Sequence, residues 1–309
     1  MSRNALRKVV SSMALWAGIA LAAQRPSTFT SFDFPGATTT GASGINADGA
    51  VVGSYNDSAG KTHGYLLSAG TFTAIDYPGA LSTSASGINS QGDIVGNHVD
   101  AAGGASRGFL LRQGVFSDVN FPGHLNTVLV RITDGGQIVG CYHDLDGMSM
   151  HGFMFSDGNY SDLSVPASMN TGVIPDGSVT AGHYTDMTTG VNRGYLASAG
   201  GFAGFDFPFS TATAAADMSA SGEVLGAYTD SAKNTHGFLL TLGDAVSTFG
   251  VNPPGGMAGS FDFVSIDYPG ARATRPNGIN SHGDLVGSYD DSAGKSHGFL
   301  LSRGRRGQN

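Results

Sequence analysis

The feature that most constrains this chain is internal repetition: one pattern about 43 residues long recurs along it in six copies. The stretch Thr71 to Leu111 reads F-x-x-I-D-Y-P-G-A, then S-G-I-N-x-x-G-D-I-V-G, then R-G-F-L-L. A proline closes the first element at Pro35, Pro78, Pro122, Pro166, Pro208 and Pro269, in steps of 43, 44, 44, 42 and 61. The last element starts at His63, Arg107, His151, Arg193, His236 and His297. From it to the next proline is 15 residues in four copies and 33 after His236, so one copy carries an 18-residue insertion, 243–260.

Each copy reads as four short strands, aromatic and aliphatic runs bounded by Gly, Pro, Asn and Ser. The connections are turn sequences such as Asn46-Ala47-Asp48-Gly49 and Asn56-Asp57-Ser58-Ala59-Gly60, short enough for antiparallel neighbours. Four strands per copy predicts all-β architecture and the blades of a β-propeller. The expected order from axis to rim is S-G-I-N, D-I-V-G-S-Y, H-G-F-L-L and F-x-x-I-D-Y. Gly53, Gly96, Gly140, Gly182, Gly226 and Gly287 then fit close approach between packed sheets. A lone fourth strand, Phe29–Phe34, opens the pattern and a lone third strand, His297–Ser302, ends it. Pairing them predicts a six-bladed ring without a free edge. An open β-solenoid would instead need capping units, which neither end provides.

The segments GINADGAVVGSY (44–55), GINSQGDIVG (87–96) and GINSHGDLVGSY (278–289), with the HGFLL and HGYLL elements, resemble the probable extracellular repeat of the HAF family. That family is named for a His-Ala-Phe element where this chain has His-Gly-Phe or His-Gly-Tyr. The resemblance spans residues 29 to 302, and wears thin where GIN becomes Arg131-Ile132-Thr133 and Gly172-Val173-Ile174. It implies export and a repeat architecture, and brings no agreed activity.

Residues 1–23 read as a secretory signal peptide: Arg3, Arg7 and Lys8 precede an apolar run from Val9 that ends in Ala20-Leu21-Ala22-Ala23. An uncleaved anchor is the alternative, but the run is short for a span needing about 20 residues. Residues 24–309 then form a single domain destined for the periplasm or the exterior. The formal charge is −8 for the chain and −11 without those three cations. No basic cluster survives except Arg303, Arg305 and Arg306 at the tail, which argues against nucleic acid as a partner. Cys141 is the only cysteine, which predicts a quiet buried thiol and no disulfide; the only tryptophan, Trp16, lies in the leader. No cofactor motif occurs, and the expected state is a monomer.

Two recurring polar columns invite a chemical reading. Asp33, Asp76, Asp206 and Asp267 precede the aromatic-Pro pair, and His63, His151, His236 and His297 start the third strand, with Arg107 and Arg193 in two copies. One per blade keeps such groups too far apart to share a metal or a substrate, so both columns read as structural, the arginines as donors between blades. The Asp-rich loops 56–61, 290–295 and 144–147 have calcium-loop composition without the closing glutamate.

Function is better sought where the copies disagree. The glycine column of the innermost strands reads Gly44, Gly87, Arg131, Gly172, Asp217, Gly278. Arg131 and Asp217 are therefore the candidate ligand-binding residues at a channel mouth, with an ion pair between them as the alternative. The insertion 243–260, built round Asn252-Pro253-Pro254-Gly255-Gly256, is the candidate surface loop. The chain reads as an exported binding or interaction module for a polysaccharide or a protein. A secreted polysaccharide lyase or hydrolase, and a calcium-holding surface protein, are the competing classes.

Overall fold

The computed structural model describes residues 27–101, 104–124, 126–144, 150–166, 168–173, 178–198, 201–241 and 262–304. The leader at 1–23, the insertion at 243–260, and Arg305 and Arg306 lie outside the described residues. The fold is all-β, with no helix among the described residues.

Four antiparallel sheets have four strands each. They are β2 (Thr39–Ile45), β3 (Val51–Asn56), β4 (Thr62–Ser68) and β5 (Thr71–Ile75); β6 (Ser82–Ile88), β7 (Ile94–Val99), β8 (Arg107–Arg112) and β9 (Val115–Asp118); β10 (Asn126–Ile132), β11 (Ile138–His143), β12 (Met150–Ser156) and β13 (Asn159–Pro166); and β14 (Ser168–Val173), β15 (Val179–Asp186), β16 (Val191–Ser198) and β17 (Gly201–Phe205). The remaining strands are β18 (Ala212–Met218), β19 (Val224–Thr229), β20 (Thr235–Thr241), β21 (Asp262–Ile266), β22 (Ala273–Ile279), β23 (Leu285–Asp290), β24 (Ser296–Arg303) and β1 (Ser27–Phe32). They pair in that order as two antiparallel runs, joined into an eight-stranded sheet by one parallel bridge, Thr235 to Ala273. β1 adds to β24 antiparallel, from Ser27 opposite Arg303 to Phe32 opposite Gly298.

The His-Gly-aromatic element explains itself in the packing. Its aromatic residue forms the core column, with Tyr65, Phe109, Phe153, Tyr195, Phe238 and Phe299 all at 0% exposure. Its glycine lets the next unit close in: a Cβ on Gly108 would stand 2.6 Å from Leu129 Cγ, and one on Gly237 would stand 2.4 Å from Pro276 Cγ. Except for β13, which runs on to Pro166, the fourth strands stop before the Asp-aromatic pair, short of the F-x-x-I-D-Y expected. The aromatic residue's N–H turns instead to a threonine of the next first strand, as in Tyr77 to Thr83 Oγ1 at 2.9 Å and Phe34 to Thr40 Oγ1 at 3.0 Å.

One expectation is corrected. The second-strand glycines answer a close approach inside one sheet, not between sheets. Every first strand carries a β-bulge at the same place, for example between Ala42 and Gly44 and between Ala215 and Asp217. Beside it, the partner carbonyl sits where a side chain would go: a Cβ would lie 2.0 Å from Gly41 O at Gly53 and 2.0 Å from Val128 O at Gly140.

Candidate functional site

The bulges set the geometry of the axis. The residue just after each bulge faces the backbone of the neighbouring unit's first strand. A Cβ on Gly278 would lie 3.0 Å from Gly44 Cα, one on Gly44 3.1 Å from Gly87 Cα, and one on Gly87 3.0 Å from Arg131 Cα. Arg131 and Asp217 thus converge, as the repeat predicts, and they meet each other: Arg131 Nε lies 2.9 Å from Asp217 Oδ1, with side chains 11% and 8% exposed. The Nε–H is not aimed at that oxygen and makes no hydrogen bond, so the contact is an ion pair. Arg131 Nη1 donates to Ser86 O at 2.7 Å and to Val130 O at 2.9 Å. Asp217 accepts the N–H of Met218 and of Ile279, both at 2.9 Å. Burial pushes the Asp217 carboxyl upward against the pull of Arg131 and these two amides.

The asparagine of the G-I-N element lies one turn further out and stitches units together. Asn280 Nδ2 donates to Asn46 O at 3.1 Å, Asn46 Nδ2 to Asn89 O at 3.1 Å, and Asn89 Nδ2 to Thr133 O at 3.4 Å. Its Oδ1 meanwhile accepts N–H groups of its own turn, Ala50 for Asn46 and Asp284 for Asn280. Between these residues and the ion pair is a cavity of about 120 Å³. Small-molecule sites usually run from about 300 Å³ upward, so this space suits a few waters.

The histidine and aspartate columns turn out to belong to one device. His63 Nδ1 lies 2.8 Å from Asp76 Oδ1 and Nε2 3.4 Å from Asp57 Oδ2. His236 sits likewise between Asp267 and Asp230, and His297 between Asp33 and Asp291. Arg193 replaces the ring between Asp186 and Asp206. These clamps lie within a unit, which corrects the expectation of arginine donors between blades. The loop aspartates are also spent on turns: Asp57 Oδ1 accepts Ala59 N–H and Lys61 N–H, both at 2.8 Å. Among the described residues, no group of three His, Cys, Asp or Glu is placed to hold a metal ion. Cys141 is fully buried, and burial pushes its thiol up to about 12.

The clamp sets a pH window. The Asn234 side chain and N–H, with His236, hold Asp230 down at about 2. Burial pulls His236 downward, but Asp267 and Asp230 outweigh it and leave the ring above its ordinary value. A lowered carboxylate stabilises the fold above its unfolded value near 3.9 and loses that contribution as pH falls towards 2. A raised histidine stabilises below about 6.5 and loses its contribution as pH climbs through the folded value. The clamp therefore works best between roughly pH 4 and 6.5. In melting curves from pH 2 to 9, His236→Asn is expected to flatten the decline above pH 6.5; a profile parallel to wild type would contradict this.

Sequence reasoning missed a second set of departures, on the opposite edge of the sheets. Successive connections in a four-stranded meander alternate edges, so second-to-third and fourth-to-next-first connections share one. Four copies turn after proline with glycine at positive φ: Gly36, Gly79, Gly123 and Gly270. The fifth has Phe209 there, at φ 63° and 100% exposed. In the second-to-third connections, Gly60 and Gly294 have positive φ, and the matching residue of the fifth copy is Lys233, at φ 70°. Thr211 Oγ1 donates to Thr229 O and Asp230 O at 3.2 Å, fastening the Phe209 turn to the loop that carries Lys233. In the sixth copy, Arg272 and Arg275 stand where the first has Thr38 and Gly41 and the fifth Thr211 and Ala214. The signal was present as P-F against P-G and D-S-A-K against D-S-A-G.

Stacked four-stranded antiparallel sheets of this kind make a β-propeller fold. No family model matches the chain, and no curated protein matches it either. Among solved structures it is similar to TolB from Acinetobacter baumannii, at TM-score 0.53 and 12% identity over 82% of this chain and 64% of that one. The chain thus spans just under two thirds of TolB. AofleA from Arthrobotrys oligospora gives 0.53 and 10% over 91% and 88%. A point mutant of Aleuria aurantia lectin, in complex with Fucα1-6GlcNAc, gives 0.51 and 11% over 86% and 94%. At these identities the likeness is one of fold.

Proposed function

We propose that the chain is an exported propeller of six units, closed by β1, that serves as a binding or interaction module outside the cytoplasm. Closure is supported by the β1–β24 pairing and by first strands packed neighbour to neighbour, β22 coming back to β2. Export rests on the 1–23 segment and on the HAF resemblance. In this reading Arg131 and Asp217 lock the axis, since their charges are spent on each other and on backbone groups, and a ligand is met at the outer edge of the sheets. A protein of similar fold, the Aleuria lectin, is in complex with a saccharide.

The observation that carries a binding role is Phe209. A bulky residue in left-handed backbone costs about 1–2 kcal/mol where glycine costs nothing. The ring offsets none of that by burial, being 100% exposed. Strain of this kind, held against the scaffold's interest, marks a place where a side chain meets something else. Phe209→Gly is therefore expected to raise stability by about 1 kcal/mol and to weaken ligand binding. The measurement is a thermal-shift panel of extracellular polysaccharides, oligosaccharides and peptides on wild type and variant. A variant that melts no higher, or that keeps the full ligand shift, would remove the support for this site.

A further inference from the structure

Lys233, Arg272 and Arg275 line one groove of about 600 Å³ between β20 and β22, on the edge that carries Phe209. The cations in it are of two kinds. Arg275 Nη2 is held by Asp290 Oδ2 at 2.9 Å, and His236 by its own clamp. Lys233 and Arg272 are exposed and form no ion pair with any described residue, although Asp290 feels the charge of Arg272 from beyond contact. That is uncommon here: of ten Lys and Arg side chains among the described residues, seven are ion-paired. Lys61 is the third unpaired one, so two of the three unpaired cations share this groove. Arg272 Nη1 reaches over the next loop, 3.8 Å from where a Cβ on Gly294 would stand. Neither cation belongs to the repeat, and Lys233 is kept at a backbone angle that glycine fills in two sister copies.

We propose that this groove binds an acidic oligosaccharide, its carboxylate or sulfate groups pairing with Lys233 and Arg272 while Phe209 offers a ring face to a sugar. The proposal rests on the binding-module reading above and names its ligand class. A guanidinium fork matches the two oxygens of a carboxylate or sulfate, and a lysine supplies a mobile point charge beside it. The groove has the volume of a small-molecule site, unlike the axial cavity. The chain as a whole is acidic, at −8, so attraction must be local and will weaken as salt rises.

The test is isothermal titration calorimetry on the whole protein with four probes: tetragalacturonate, a sulfated galactose tetramer, neutral galactotetraose and inorganic sulfate. Lys233→Gly and Arg272→Thr are the variants, because sister copies of the repeat fold with those residues. Binding of either acidic tetramer without the neutral one is expected, with roughly a tenfold loss for each substitution. Which acidic tetramer binds identifies the oxyanion. Lys233→Gly is also expected to melt higher than wild type, so lost affinity could not be blamed on lost folding. Equal binding of the neutral tetramer, or full affinity in the double variant, would overturn the inference and leave the binding module standing. Sulfate binding as tightly as the tetramers would mean an adventitious ion only, and would overturn it too. If no tetramer binds, the inference falls; if the wider polysaccharide and peptide panel is also silent, the binding module falls with it.

Discussion

Replacing Arg131 alone by glycine is expected to cost about 3–5 kcal/mol, because it leaves the Asp217 carboxylate buried without its counter-charge. Asp217 is 5% exposed, and two amide hydrogen bonds cannot stand in for a cation. Glycine is the native residue at the other four places in the column, so the backbone accepts it. The double variant Arg131→Gly/Asp217→Gly is expected to lose clearly less than the two single losses added together. A coupling of about 1–3 kcal/mol is usual for groups in direct contact. Urea unfolding of the four proteins closes the cycle. If Arg131→Gly costs under about 1 kcal/mol, Asp217 must be hydrated in place and the pair does not lock the axis.

The second large effect concerns glycines that look alike in sequence and differ in environment. Gly226→Ala would put a methyl group 2.2 Å from Ala214 O and 2.7 Å from Phe238 Cε1, with Phe238 fully buried. Neither a backbone carbonyl at a bulge nor a packed ring can retreat, so a loss of about 3 kcal/mol is expected. Four residues earlier, Gly222 has open space round it and φ of 82°. Gly222→Ala meets only backbone strain, about 1 kcal/mol. Thermal and urea midpoints for the pair separate the mechanisms. Equal losses would mean that the first strand shifts to make room.

The repeat is legible in the sequence because chemistry recurs at a fixed distance along the chain, and the partnership of the first strand with the last follows from which elements stand alone at either end. The partnership of β1 with β24 is of that legible kind; its register, Phe32 opposite Gly298, is not. The bulges are not legible. An extra residue in one strand leaves no mark in composition, so the pattern alone refers the second-strand glycines to the wrong neighbour. Arg131 and Asp217 stand out as departures from glycine, and one sequence gives no way to choose between ligand and ion pair. Phe209, Lys233 and Arg272 are visible in the same comparison of copies. They escape notice because they sit in turns, where variation looks cheap until a positive φ shows what it costs.

The pairing of β1 with β24 also imposes an order in time. Residue 27 is made well before its partner, residue 303, so β1 waits with both edges unpaired while five intervening units take shape. Unpaired strand edges are where chains join the wrong neighbour, and contacts this distant in sequence form late. The last sheet is thus expected to be the last to be completed, and a protein held short of β24 would display a waiting edge to any chain nearby.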